Sequence, residues 1–182
     1  ERLSRITENL LRLTRLDGGV VQAAYPVAVA PVLQRVERML GIVAEEKGVT
    51  ISGSASEDAV ALATDDDVHQ ILYNLMENAI KYSAAENGFV RAEASAQDGQ
   101  VVITVTDNGI GIPDEDLPHI FDRFYRVDKM RSREVGGTGL GLSIVKDTIE
   151  NRGGTIRAGH GADGVGTVFT VTLPLAQREE EP

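Results

Sequence analysis

Apolar positions along this chain recur with two periods, and the switches between them mark out its elements. Residues 1–17 carry Leu3, Ile6, Leu10 and Leu13 at alternating spacings of three and four. That is a heptad seam of the kind that packs helix on helix. Gly18-Gly19 stops it. So short a helix is not stable alone. It begins without a cap, which favours the end of a longer dimerisation helix, while packing on its own domain stays open. Residues 20–29 have β character. Residues 30–47 predict an amphipathic helix with Val32, Leu33, Val36, Met39, Leu40 and Val43 on one side. Short strands are expected near 49–53 and 59–63. A second helix is predicted over 66–83, with Asp65 or Asp66 as N-cap. Alternating runs at 89–96 and 100–107 flank Asp98-Gly99, a hairpin signal.

A polar stretch with Gly and Pro fills 108–137. A loop of that length inside a compact domain is uncommon and suggests a lid. A third helix is predicted over 139–152, ending at Gly153-Gly154, and strands near 155–159 and 166–173 close the pattern. The charged tail beyond Pro174 is expected to be disordered. The fold class is α+β: a two-layer sandwich, its mixed sheet covered on one face by three helices and preceded by a helical stub. The expected division is 1–19 stub and linker, 20–175 domain, 176–182 tail.

Composition narrows this picture. The 182 residues are 42% hydrophobic and 25% charged, which suits one soluble domain. A net charge of −10 makes nucleic acid a poor partner. The chain has no cysteine, which excludes disulfides and thiolate metal sites. Its three histidines, His69, His119 and His160, lack metal-ligand spacing. No apolar run approaches the roughly 20 residues that cross a bilayer, and no signal peptide opens the chain.

Three segments carry candidate chemistry. Residues 74–82 read N-L-M-E-N-A-I-K-Y. On a helix, Asn74, Asn78, Lys81 and Tyr82 share one face, while Leu72, Leu75, Met76 and Ala79 share another. Asparagine is unfavourable inside a helix because it competes for backbone hydrogen bonds. The carbonyl oxygen of Asn78 suits a hard cation such as Mg²⁺, and Lys81 suits phosphate. A solvated face with incidental asparagines accounts for the same pattern. The second segment is D-N-G-I-G-I at 107–112, after an apolar strand. A carboxylate there can accept from an amino group such as that of adenine, and Gly109 and Gly111 permit close approach. An ordinary Asx turn is the competing reading. The third is G-G-T-G-L-G-L at 136–142, opening a helix. Free N–H groups and the helix dipole favour an anion there, although a helix start capped by Thr138 needs no ligand. It is no P-loop, since no Gly-Lys-Ser/Thr follows. Between them, F-D-R-F-Y-R-V-D at 121–128 offers Phe121 and Phe124, at helical spacing, as anchors for a flap. Arg126, with Arg131 or Arg133, can reach a γ-phosphate when the flap closes.

Taken in order, the Asn helix, D-x-G-x-G, F-x-x-F, G-x-G-x-G and a last glycine motif, G-V-G-T-V-F at 164–169, resemble the N, G1, F, G2 and third glycine boxes of sensor histidine kinases. The resemblance covers about residues 20–175. It implies the Bergerat ATP-binding fold, with ATP and Mg²⁺ as cofactors. It assigns Mg²⁺ to Asn78, with Asn74 beside it, phosphate to Lys81, and a place along the nucleotide to Tyr82. Adenine falls to Asp107, in a pocket shaped by Gly109, Gly111 and Ile112 with Thr167 nearby. Phe124 adjoins the nucleotide, and Gly137, Thr138, Gly139, Leu140 and Gly141 carry the phosphate loop and helix start. It implies that E-N-L-L-R-L-T-R-L at 8–16 ends the second helix of a dimerisation domain. The first helix of that domain carries the phospho-accepting histidine in an H-E/D motif. None of the three histidines here stands in that context.

The reaction so implied moves the ATP γ-phosphate to a histidine on the dimerisation domain, for relay to the receiver domain of a response regulator. The full-length protein is expected to be a homodimer and a membrane-anchored sensor, with this part cytoplasmic. The chain alone is expected to bind ATP without phosphorylating itself. Two rivals remain: a Bergerat ATPase, and a degenerate nucleotide-sensing interaction module. ATPases of that fold place Glu one helical turn before the Mg²⁺-binding Asn. Here that position is Asn74, and Glu77 points elsewhere.

Overall fold

The computed structural model describes residues 2–19, 21–84, 86–127 and 139–177. Its frame is a five-stranded sheet. Strands β2 (Val49–Ala55), β4 (Gly88–Gln97), β5 (Gln100–Asp107), β7 (Thr167–Pro174) and β6 (Thr155–His160) lie side by side in that order. β2 and β4 are parallel, and the other neighbouring pairs are antiparallel. Asp98 and Gly99 both take positive φ, 49° and 75°, the geometry that a two-residue hairpin between β4 and β5 requires. A second sheet, which the sequence pattern did not announce, pairs β1 (Tyr25–Ala28) with β3 (Val60–Ala63).

Period-two burial sets the register. Val90, Ala92 and Ala94 on β4, Val101, Ile103 and Val105 on β5, and Phe169, Val171 and Leu173 on β7 are buried. The residues between them are partly or fully exposed. Asp107 and Thr167 continue the buried rows of β5 and β7. They are direct cross-strand partners at the same end of the sheet.

Helices α2 (Val29–Glu46), α3 (Asp65–Tyr82) and α4 (Gly141–Asn151) cover the apolar face. The α2 stripe differs from expectation. Val29, Val32, Leu33, Val36, Leu40 and Ala44 are buried, whereas Met39 and Val43 are exposed. The buried row follows the i, i+4 ridge Val32-Val36-Leu40-Ala44, which drifts around the helix and leaves the neighbouring ridge in solvent. The N-cap of α3 is Thr64, not Asp65 or Asp66. Its hydroxyl accepts from Asp67 N–H and the Asp67 carboxylate accepts from Thr64 N–H, both at 3.1 Å, a complete capping box. The three aspartates sit inside the first turn, where the helix dipole favours negative charge. Each meets an arginine: Arg35 to Asp65 at 2.6 Å, Arg12 to Asp66 at 2.9 Å and Arg152 to Asp67 at 2.6 Å.

The stub is helix α1 (Arg2–Asp17). Its last turns pack on the domain: Leu13 is buried against Leu140 and Ile144, with Leu16 beside them. Arg123 holds the Asp17 carboxylate with two N–H bonds of 3.0 and 2.8 Å. Leu3, Leu10 and Leu11 of the same helix are exposed. At the other end, the chain stays attached past Pro174. Leu175 bridges to Ala61, and Ala176 N–H donates to Val60 O at 2.9 Å. Residue 176 is therefore ordered by β3, and the remainder of the expected tail from 178 lies outside the described residues. No described helix is long and apolar enough to cross a membrane.

Candidate functional site

Asp107 ends β5 almost fully buried. Its Oδ1 accepts Gly109 N–H at 2.8 Å. Burial pushes the carboxyl above its ordinary pKa, and hydrogen bonds from the Gly109 and Thr167 backbone pull it partly back. The turn that follows is fitted to the end of α3. A Cβ at Gly109 would stand 1.8 Å from Tyr82 O, so no larger residue fits. Ile110 N–H donates to that same carbonyl at 3.1 Å, satisfying one of the orphan acceptors of the helix end. Gly166 closes the other side, since a Cβ there would lie 1.9 Å from Asp107 O. Gly111 takes positive φ opposite Gly166, Ile112 packs on the core, and Thr167 is buried.

The polar face of α3 is half-buried at Asn74, Asn78, Lys81 and Tyr82, opposite the buried Leu72, Leu75, Met76 and Ala79. Asn74 Nδ2 is buried with no hydrogen-bond partner among the described residues. Such a donor in a folded protein asks for an acceptor. The Lys81 ammonium lies 5.3 Å from the Tyr82 ring centroid, and the Lys81 carbonyl accepts from Lys47 Nζ at 3.3 Å. Burial raises the Tyr82 pKa and the charge of Arg126 lowers it, so the Arg126 guanidinium stands within electrostatic range of this face.

The 108–127 segment is seated by side chains rather than by regular structure. Ile112, Leu117, Ile120, Phe121 and Val127 pack on the core, Phe121 edge-to-face on Phe169 at 6.3 Å. The paired anchor expected from F-x-x-F is thus one residue. Phe124 takes φ of 64°, which breaks the helical path and turns its ring into solvent. What Phe124 contributes is backbone: its N–H donates to Gly139 O at 2.9 Å, tying this segment to the start of the glycine run. Asp122 pairs with His119, Asp116 with the Tyr125 hydroxyl, and Asp114 with His160, the last residue of β6.

Gly136, Gly137 and Thr138 lie outside the described residues, as do Arg131 and Arg133. The Leu140 side chain is buried with Leu13 and Ile144. The helix starts at Gly141, two residues later than expected, and no side chain caps it. Among the described residues nothing stands within 4 Å of a Cβ built at Gly141.

Sequence reasoning gave Asn108 no task. Its Oδ1 accepts Phe89 N–H and its Nδ2 donates to Asn87 O, each at 2.9 Å. The available signal was an amide side chain between Asp107 and Gly109, a residue type that readily bonds backbone.

A family model described as Histidine kinase-, DNA gyrase B-, and HSP90-like ATPase matches residues 63–177. The sensor histidine kinase WalK of Bacillus subtilis (strain 168) is 35% identical over 184 residues, covering 100% of this chain and 30% of WalK. Full-length ShkA in complex with AMPPNP superposes with a TM-score of 0.83 at 31% identity, over 97% of this chain and 36% of ShkA. ThkA in complex with the response regulator protein TrrA superposes with a TM-score of 0.75 at 23% identity, over 96% of this chain and 48% of ThkA. That last likeness bears on fold alone. The chain spans between 28% and 45% of the length of these curated relatives.

Proposed function

The chain belongs to the Histidine kinase-, DNA gyrase B-, and HSP90-like ATPase family, and from that membership we propose that it is the ATP-binding catalytic domain of a sensor histidine kinase. One observation carries the reading. The buried Asp107 carboxylate and the asparagine face of α3 belong to a single construction, joined where Gly109 and Ile110 press on the Tyr82 carbonyl. An acceptor for a base amine and a face for phosphates are thereby held at one end of the sheet.

The residues fit ATP. Asp107 accepts the exocyclic amine of adenine, Tyr82 lies along the nucleotide, and Gly111, Ile112 and Thr167 shape the base pocket. The unpartnered Asn74 Nδ2 supplies a donor beside Asn78. The oxygen of Asn78 would hold Mg²⁺, which takes oxygen ligands and keeps several waters. When bound, that ion offsets phosphate charge. Lys81 and Arg126 add positive charge around the transferring group, so catalysis rests on positioning and electrostatics.

The acceptor is a histidine of a dimerisation domain, and the phosphate passes on to the receiver domain of a response regulator. None of the histidines here stands in an H-E/D motif: Gln70 follows His69, Ile120 follows His119 and Gly161 follows His160. The whole protein acts as a homodimeric, membrane-anchored sensor with this domain in the cytoplasm. Water activation is disfavoured, because the position one turn before Asn78 is Asn74, which offers no base.

Calorimetric titration with Mg²⁺-ATP tests the reading. The chain is expected to bind, and Asn78→Ala to weaken binding by about tenfold or more, equivalent to about 1.4 kcal/mol. Absence of binding, or binding indifferent to Asn78→Ala, favours a degenerate interaction module instead.

A further inference from the structure

The turn that presents Asp107 is fixed by a side chain with no role in the reading above. Val90 and Asp107 form the last backbone pair of the β4–β5 ladder at that end. One residue on, Asn108 continues the ladder with its side chain. Its Oδ1 takes the N–H of Phe89, and its Nδ2 gives to the carbonyl of Asn87. A carboxamide carries an acceptor oxygen and an N–H donor side by side, as the C=O and N–H of one strand residue do, so it can stand in for that residue's ladder bonds. The main chain at 108 is then free to leave the ladder. It turns at once, and Gly109 N–H reaches back to Asp107 Oδ1.

The surroundings are built around this clip. Asn87 holds φ of 52° to present its carbonyl. Gly88 is so close to Ala84 that a Cβ would stand 2.6 Å from the Ala84 carbonyl oxygen. From the other side a Cβ at Gly166 would meet Asn108 Cα at 2.8 Å. Asn108, the residue that follows β5, thus touches the start of β4 and the segments before β4 and before β7.

We propose that Asn108 is a positioning residue for base recognition: its two-pronged clip orients the Asp107 carboxylate, and so sets the preference for a purine with an exocyclic amino group over one with an oxo group. The proposal rests on the reading of Asp107 as the adenine acceptor. Alanine removes both prongs. Aspartate keeps the shape but turns an acceptor toward the Asn87 carbonyl and adds a second negative charge beside Asp107. A serine or threonine hydroxyl is too short to span both partners.

The experiment measures the affinity of the chain for Mg²⁺-ATP and Mg²⁺-inosine triphosphate, with Asn108→Ala and Asn108→Asp alongside the unsubstituted protein. The unsubstituted protein is expected to prefer ATP. Asn108→Ala is expected to bind ATP about tenfold more weakly, about 1.4 kcal/mol, with the inosine nucleotide nearly unchanged, so the selectivity ratio collapses toward one. Asn108→Asp, nearly isosteric, is expected to lose ATP affinity at least as far, and carries the test if the alanine variant does not fold. Equal weakening of both nucleotides by either variant means a merely structural role and overturns the proposal, as does an unchanged ATP affinity. A protein that discriminates while its Asn108 variants keep the ratio sinks this proposal alone. An unsubstituted protein that does not bind ATP, or does not prefer it, removes the underlying reading and the proposal with it.

Discussion

Asp107 ends a row of apolar residues on β5, and its charge sits badly in that row. Burial holds its folded-state pKa above the ordinary value of 3.8. A carboxyl shifted in that direction contributes stability that is fully present below the unfolded value and lost as pH rises through the folded value. At neutral pH the ionised group therefore works against the fold. Asp107→Asn is expected to melt at a higher temperature than the unsubstituted protein at pH 7, with the gap closing as pH falls through the raised pKa toward 3.8. Thermal melts across that range check the sign. Adenosine, which has no phosphates to titrate, should bind the asparagine variant more weakly at pH 7. Asp107 was legible in the sequence because it ends an apolar strand, a local property, whereas Thr167 was named only through the resemblance. The task of Asn108 was not legible, because its partners lie 19 and 21 residues away. Phe124 misled, since F-x-x-F has helical spacing while the backbone takes positive φ.

At the scale of elements, period alone located the described helices, but not what each end or face meets. Thr64 caps α3 through its pairing with Asp67, three residues on, a reciprocity overlooked beside two adjacent aspartates. The β1–β3 sheet joins segments more than thirty residues apart, and no short-range pattern reports that. For α1 the structure supports packing on its own domain at its last turns. Leu13 packs on Leu140 and Ile144, while Leu3 and Leu10 present an open seam. The contact at Leu13 outweighs the ion pairs around it. A buried Leu→Ala change costs about 2–5 kcal/mol, whereas exposed pairs such as Arg123–Asp17 contribute about 0–1 kcal/mol each. Leu13→Ala is therefore expected to release α1 without unfolding the sheet. Amide hydrogen exchange should accelerate across residues 3–17 and stay slow in β5 and β7. Slow exchange retained in α1 would show that its polar contacts suffice.

At the scale of the whole molecule, one sheet end gathers the buried acceptor Asp107, the asparagine face of α3 and the segment that carries Arg126. The α4 start is tied to that segment through Gly139 and Phe124. The same α4 start, through Leu140, also receives α1. A helix arriving from another domain would therefore dock beside the start of α4. On this account the chain supplies nucleotide and positioning, and another domain supplies the nucleophile. The most direct test incubates the chain with Mg²⁺-ATP labelled at the γ-phosphate and a separately purified dimerisation domain of the same kinase. The account expects acid-labile phosphate on a histidine of that domain, none on the chain itself, and little free phosphate when the domain is left out. Label on the chain alone, or multiple-turnover release of phosphate without the acceptor, would contradict it.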